Sequence, residues 1–509
     1  MAQCCKSFYD PAMDLLWHVI PNIAPVIRCL PPDALQVAEF EPDKYNCVRR
    51  IISLTPGREL DAKDWRRALL NASRVKEITS EWYGAPGRAD GATNDSWEVS
   101  PDIFQAFGRY SRSDVSVQCL LPNVWRFEGS ESWEIQDAPQ ILVDLAYLVD
   151  EKLTTLWLHE VDMFQSDEDT VNAVIGPIIK RYKYLQDIQF YLVHPASWSA
   201  QSIIVFTELL ASLSDVRFLR TNLPLRRISP DQDAVEVQVK SPVDAFLPCL
   251  QELRMELPDR DISAGLSCIQ DITSRELKEL WVICAPTTTT HNFQVFFKTL
   301  ARRRFPLREL KVHVRSGADE VLTTDNIESH FLFPITMSPL FTLQDLSHIE
   351  LHMVLATGLT DEFMLNLARA WPRLWYLSVK SDLKHVAQPS LTLEGLLPLS
   401  ELCPRLDTLN LSFHATLPSA GAIQRAKEIR RKAHRFKRLG AYFTCAPSED
   451  DPERLADFLL DMFPRIYSFH LGDTMAEQSV EYPEAISRWE RLQHVVLARQ
   501  QGMSMFDLE

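Results

Sequence analysis

Apolar residues recur along this chain in the spelling L-x-x-L-x-L, or a close apolar variant, at intervals of roughly 30 residues, a spacing that marks a repeat array. Clear copies are Leu153-Leu156-Leu158, Leu185-Ile188-Phe190, Leu250-Leu253-Met255, Leu277-Leu280-Val282 and Leu307-Leu310-Val312. Further copies are Leu346-Ile349-Leu351, Leu374-Leu377-Val379, Leu406-Leu409-Leu411, Ile466-Phe469-Leu471 and Leu492-Val495-Leu497. Weaker ones stand at Val75-Ile78, Val124-Phe127, Val216-Leu219 and Phe436-Leu439. Each copy predicts a short strand with alternate side chains pointing inward, then a turn and a helix, so neighbouring units must stack to bury their apolar faces.

Proline punctuates the units. The stretches Ala370-Trp371-Pro372-Arg373-Leu374, Cys403-Pro404-Arg405-Leu406 and Met462-Phe463-Pro464-Arg465-Ile466 each place a proline between an apolar helix and a strand. Proline cannot continue a helix and biases its predecessor to extended backbone. The predicted fold class is α/β: a leucine-rich-repeat solenoid, a curved parallel sheet with outer helices, over 121–509. Its period exceeds the 20–29 residues of ordinary leucine-rich repeats, which predicts enlarged helices or connections. Residues 1–40, with the paired prolines Pro31 and Pro32, predict a small helical segment. Residues 41–120 predict a helical linker and the first weak repeat, with an exposed loop at 81–100 where Gly84, Pro86, Gly87, Gly91, Asn94, Asp95 and Ser96 collect.

Charge and composition narrow the class. The chain has 53 basic and 69 acidic residues, a formal net charge of -16, which disfavours wholesale nucleic-acid binding. Its ten cysteines are scattered without a C-x-x-C pair and read as buried reduced thiols. No uncharged apolar run approaches the ~20 residues of a membrane span. The expected location is the cytoplasm or nucleus, with no membrane partner.

The segment Cys5-Lys6-Ser7-Phe8-Tyr9-Asp10-Pro11-Ala12-Met13-Asp14-Leu15-Leu16-Trp17 resembles the second half of the F-box of a group of F-box and leucine-rich-repeat proteins from basidiomycete fungi. Asp64-Trp65-Arg66-Arg67, Ala72-Ser73-Arg74-Val75, Ser100-Pro101-Asp102-Ile103-Phe104 and Cys403-Pro404-Arg405-Leu406 look like that group as well. The resemblance implies docking onto the Skp adaptor of a cullin-RING ubiquitin ligase, with the repeats turned to a protein substrate. Cys5, Phe8, Tyr9, Pro11, Leu15, Leu16 and Trp17 would be the adaptor-facing or F-box-core residues. An F-box usually opens with an L-P-x-E/D-x-L helix. Here only three residues precede Cys4, so the implied F-box is partial, and Leu30-Pro31-Pro32-Asp33-Ala34-Leu35, which has that spelling, reads as a proline-started helix. The same N-terminal residues also fit a hydrophobic cap that seals the end of a solenoid.

Catalytic motifs are missing: no H-E-x-x-H, G-x-S-x-G, P-loop or G-x-G-x-x-G occurs, and only 15 glycines are available for phosphate cradles. No enzyme activity and no cofactor are expected. His159-Glu160 reads as a solvated pair, and His313, His352, His414 and His470 belong to separate units without close ligand spacing, so no metal site is expected either. Trp125, Trp157, Trp281, Trp375 and Tyr376 alternate with apolar strand positions and are expected either on the concave face as anchors for a partner or as fillers of gaps between irregular units. The basic stretch Arg425 to Arg438 reads as a solvated helix face or a nuclear signal, and Arg302-Arg303-Arg304 as a helix C-terminus. The expected function is protein recognition as a ligase substrate receptor; the alternative is a free-standing scaffold or inhibitor.

Overall fold

Alternate apolar residues of each repeat are buried, and the residues between them face the opposite way. In the computed structural model of the protein, this description covers residues 6–41, 48–79, 96–114, 117, 119–129, 148–161, 176–192, 198–225, 245–257, 260–315, 331–332, 334–353, 355–356, 359–381, 390–429, 436–441, 452–466, 468–471 and 483–500. The chain divides into two compact units, Met1–Leu250 with Asp271–Ser274, and Gln251–Gln270 with Arg275–Glu509.

The first unit holds strands β1 (Val19–Ile20), β2 (Leu35–Glu39), β3 (Arg49–Leu54), β4 (Glu77–Ile78), β5 (Ser96–Val99), β6 (Arg126–Gly129), β7 (Thr155–Val161), β8 (Asp187–Leu192) and β9 (Phe218–Thr221). Strands β1, β4, β6, β7, β8 and β9 pair in parallel in that order, while β2, β3 and β5 form a separate three-stranded sheet. The weak copies at Val75, Val124 and Val216 are therefore true repeats, and all three valines are fully buried. Two expectations need correction. Residues 1–40 hold the expected short helices, Lys6–Trp17 and Ala24–Ile27 with a helical turn at Pro32–Ala34, but also supply β1 and β2, and the expected helical stretch after 41 contains β3 before the helix Ala62–Ala72. The physical reason is the run Arg49-Arg50-Ile51-Ile52-Ser53-Leu54, whose β-branched residues pair with β2. Most of the expected loop at 81–100 lies outside the described residues; its end, Ser96–Val99, is β5.

The second unit holds β10 (Glu252–Leu257), β11 (Glu279–Cys284), β12 (Glu309–Val314), β13 (Phe331–Leu332), β14 (His348–Met353), β15 (Leu355–Ala356), β16 (Tyr376–Ser381), β17 (Thr408–Leu411), β18 (Arg438–Ala441) and β19 (Ser468–Leu471). All but β13 and β15, which pair with each other, form one parallel ladder in chain order. Its register stacks like on like: Leu253, Leu280, Leu310, Ile349, Leu377, Leu409 and Leu439 form one buried column. Helices Thr290–Arg303, Asp361–Ala370, Ala420–Ile429 and Pro452–Met462 bury their own apolar stripes between the strands of the chain. A parallel sheet connected through helices on one side is the geometry of a solenoid-like repeat fold.

A backbone spine joins successive units. The carbonyl of the residue before one strand accepts two amides from the next unit: Ser347 and His348 donate to the Arg308 carbonyl, Trp375 and Tyr376 to Ser347, and Asp407 and Thr408 to Trp375. Sharing one acceptor locks the register before the strands begin. The prolines act as expected. The helix Asp361–Ala370 ends at the buried Trp371, immediately before Pro372, and the helix Leu397–Leu402 ends at the buried Cys403, before Pro404.

The copy Leu492-Val495-Leu497 is not a strand but part of the helix Pro483–Gln500. An L-x-x-L spacing also suits one helix face, and here Leu492, Val495 and Val496 follow i, i+3, i+4 and are buried. Among the described cysteines, Cys119, Cys268, Cys284 and Cys403 are buried free thiols as expected, whereas Cys29 and Cys249 are free but only half-buried. Burial pushes the thiols of Cys284 and Cys403 up to about 12, so they pack as apolar groups. Among the described residues, no helix is long and apolar enough to cross a membrane.

Two local features make stability predictions. Gly395 faces the Asp361 carboxylate, which accepts from the Thr392 amide and hydroxyl at 2.8 Å each and so ties one repeat to the next. A Cβ there would collide with that carboxylate and lie 2.6 Å from Leu391 Cδ1. Gly395→Ala should therefore cost about 1–3 kcal/mol in a denaturation series. Arg304 caps the helix Thr290–Arg303 in left-handed geometry, with φ 53° and ψ 40°. Arg304→Gly should raise the unfolding midpoint, by roughly 1 kcal/mol of stability, because glycine has no Cβ to strain.

Candidate functional site

In a parallel ladder in register, residues at the same repeat position sit side by side on one face, about 4.8 Å apart. On the face of the second unit turned away from the buried columns, β12 presents Glu309, Lys311 and His313, and β14 presents His348, Glu350 and His352. The register sets His313 beside His352, Lys311 beside Glu350, and Glu309 beside His348; Tyr376 of β16 then pairs with His348.

The result is a compact cluster. The His313 and His352 rings stack in parallel, with centroids 4.2 Å apart and planes 10° apart. One carboxylate oxygen lies near both Nε2 atoms: Glu350 Oε1 is 3.0 Å from His352 Nε2 and 3.5 Å from His313 Nε2. The other oxygen, Oε2, lies 3.7 Å from His348 Nε2, while His348 Nδ1 lies 3.9 Å from Glu309 Oε2. These are ion-pair distances, yet none of those imidazole nitrogens completes a hydrogen bond, although all are buried. Burial pushes the Glu350 carboxyl up; contact with His313, His348 and His352 outweighs it and holds the group far below the usual carboxylate range. The Lys311 ammonium is taken up by Glu309 at 2.5 Å.

Aromatic rings frame the cluster. The Arg254 guanidinium lies 3.4 Å over Trp281, whose ring meets His313 edge-on at 5.7 Å. On the other side, Tyr376 stacks on His348 at 4.2 Å and Trp375 meets it edge-on at 4.9 Å.

The expected aromatic anchors thus fall into two groups. Trp157, Trp281 and Tyr376 lie on strands and are half-buried, the two tryptophans between buried positions and Tyr376 at the start of its strand. Trp157 carries Arg126 4.3 Å over its ring and donates to Asp187 Oδ1 at 3.0 Å. Trp125 and Trp375 do not alternate within a strand, as expected, but stand one residue before it, exposed at 41% and 42%. Their backbone explains this, because each supplies its carbonyl to the spine that starts the next unit.

The N-terminal residues separate by helix face. Asp10, Asp14 and Trp17 follow i, i+4, i+7, and Arg74 holds that face, donating to Asp10 Oδ1 at 2.6 Å and Asp14 Oδ1 at 2.5 Å. Phe8, Tyr9, Leu15 and Leu16 are left exposed, Leu15 at 80%, and Trp17 is half-buried. Pro11 is exposed and lies inside the helix rather than at its start. Cys5 lies outside the described residues, as do the side chains of His159, Glu160 and His470. In the basic stretch, Ala426 and Ile429 are buried and Arg425 pairs with Glu401, the arrangement of a solvated helix face.

The premise that histidines of separate repeats lack ligand spacing fails for His313 and His352: with Glu350 they place three donor atoms within 4.8 Å of one another. A sequence signal was available. Leu310-Lys311-Val312-His313 and Ile349-Glu350-Leu351-His352 set histidine at the same position of two adjacent repeats. The fold and this face define an α/β repeat protein with a charged, aromatic strand surface. Neither a scan against protein-family models nor a search of curated proteins returns a match for the chain.

Proposed function

We propose that this chain is a leucine-rich-repeat protein that recognises another protein on the polar, aromatic face of its strands, acting as a substrate receptor of a Skp-cullin-F-box ubiquitin ligase in the cytoplasm or nucleus. It contributes binding rather than catalysis. What supports the adaptor half of the reading is the helix Lys6–Trp17: it resembles part of an F-box, and it is clamped by Arg74 while Phe8, Leu15 and Leu16 remain in solvent. A stripe of large apolar side chains on an anchored helix is a helix-in-groove docking element. What supports the recognition half is the run of Trp, Tyr, His and charged residues on one strand face, the residue types that anchor interfaces.

The test is capture by the Skp adaptor, comparing the chain with Leu15→Asp/Leu16→Asp and with Trp375→Ala. Adaptor binding should be lost in the first variant and kept in the second, because Trp375 is remote in sequence from the docking helix and belongs to the substrate face. Binding only after an intact upstream F-box helix is added would mean that the helix Lys6–Trp17 does not dock the adaptor by itself, as in a truncated receptor or a free-standing scaffold. No binding by either form would remove the ligase reading.

A further inference from the structure

We infer that β2, at the edge of the three-stranded sheet of the first unit, takes up an extended segment of a protein partner as a fourth, antiparallel strand. The segment that fits it carries a basic residue followed, at alternate positions, by two apolar ones. This inference does not depend on the ligase reading.

Backbone hydrogen bonding leaves the edge open. The Phe40 amide donates to the Arg49 carbonyl and the Thr55 amide to the Ala34 carbonyl, both across the pairing of β2 with β3. Bonding alternates along an antiparallel pair, so Gln36 and Ala38 also turn their backbone to β3, and Leu35, Val37 and Glu39 turn theirs away. The Leu35 amide is taken by the Pro32 carbonyl. Because the sheet order is β2, β3, β5, the amides of Val37 and Glu39 and the carbonyls of Leu35, Val37 and Glu39 line its outer edge. Residues 36–40 are all exposed, and neither a proline nor a register shift interrupts β2, the devices by which sheet edges refuse a partner.

The side chains define the partner. Residues paired across strands share a face, so the two registers of this sheet make rows. One row runs Val99, Ile52, Val37; the first two are buried, and Val37, at the edge, is 49% exposed. An apolar residue opposite Val37 continues that row and covers it, and a second one meets Leu35. The next row runs Trp97, Arg50, Glu39. Arg50 lies 5.2 Å over the Trp97 ring and donates to Glu39 Oε1 at 2.7 Å, so the row ends in a carboxylate side chain that is 62% exposed. A lysine or arginine opposite Glu39 extends the alternation of charge. A second copy of β2 fits less well: paired about Val37, it sets Leu35 against Glu39 and brings no cation to the carboxylate.

The experiment measures, by fluorescence anisotropy, binding of the labelled, end-blocked peptide Thr-Lys-Thr-Val-Thr-Val-Thr to the full chain. The same peptide with glutamate in place of lysine is compared. Saturable binding is expected, with the lysine peptide favoured by about 5-fold. Val37→Pro removes an outward amide and none that bonds to β3, and should weaken binding by about 10-fold. Glu39→Gln should abolish the preference between the two peptides. Circular dichroism checks that each variant is folded; if Val37→Pro is not, the lost preference in Glu39→Gln decides. No saturable binding by the folded wild-type chain, or equal binding by folded Val37→Pro, would overturn the assignment. So would a wild-type dimer in sedimentation that Val37→Pro disperses, because a second copy would then occupy the edge.

Discussion

Trp371→Ala should cost about 3–5 kcal/mol, the largest loss expected of any single substitution considered. Trp371 is fully buried where the helix Asp361–Ala370 stops, and its ring meets Phe341 edge-on at 5.3 Å. Its backbone has a structural role as well: its amide donates to the Leu367 carbonyl, and its own carbonyl accepts from the Leu374 amide and from Cys403 Sγ. Alanine keeps those backbone bonds and removes only the ring, so the loss measures the cavity. Trp371→Phe should cost much less, since it keeps most of the ring and removes the indole N–H, which is buried without a partner. Urea denaturation followed by circular dichroism would measure both. A loss below about 1 kcal/mol for alanine would mean that the repeats close over the gap.

Glu350→Gln should destabilise the protein by about 2 kcal/mol near neutral pH, through loss of the negative charge that faces three imidazoles. The sign of its pH dependence follows from the direction of the shift. A carboxyl held below its ordinary value of 4.5 contributes stability that is fully present above that pH and is lost as pH falls below it. The difference between wild type and variant should therefore persist from pH 7 to about 5 and shrink in stronger acid. Equal stability of the two proteins at pH 7 would show that the carboxylate adds nothing to the cluster. The two substitutions lie in one ladder but remove different things, packing in the first and charge in the second.

The repeat pattern was legible because it is written in local periodicity. Even its weak copies at Val75, Val124, Val216 and Phe436 became buried positions of real units. It misled at Leu492, where the spacing i, i+3 serves a helix as well as the start of a strand, and no proline stands immediately before the copy to decide between them. The tryptophans were placed on the right side of the sheet in part: Trp157 and Trp281 occupy the strand position between two apolar residues, whereas Trp125 and Trp375 precede the strand. For the exposed N-terminal stripe, the sequence predicted a helical segment, but only the Arg74 clamp decided which face is held.

Alternation of apolar and polar residues, read along the chain alone, is enough to specify strands, helices and the buried side of each, since burial of alternate residues is a property of one segment. Which polar side chains meet is a property of register. His313 and His352 are 39 positions apart (352 − 313) and become neighbours because β12 and β14 pair directly. That pairing carries over the intervening segment with β13, whose length does not disturb the spine bond from Ser347 and His348 to Arg308. The cluster of imidazoles around Glu350 is therefore a product of tertiary structure: cross-strand adjacency is set by backbone hydrogen bonds between units, which no single stretch of sequence contains.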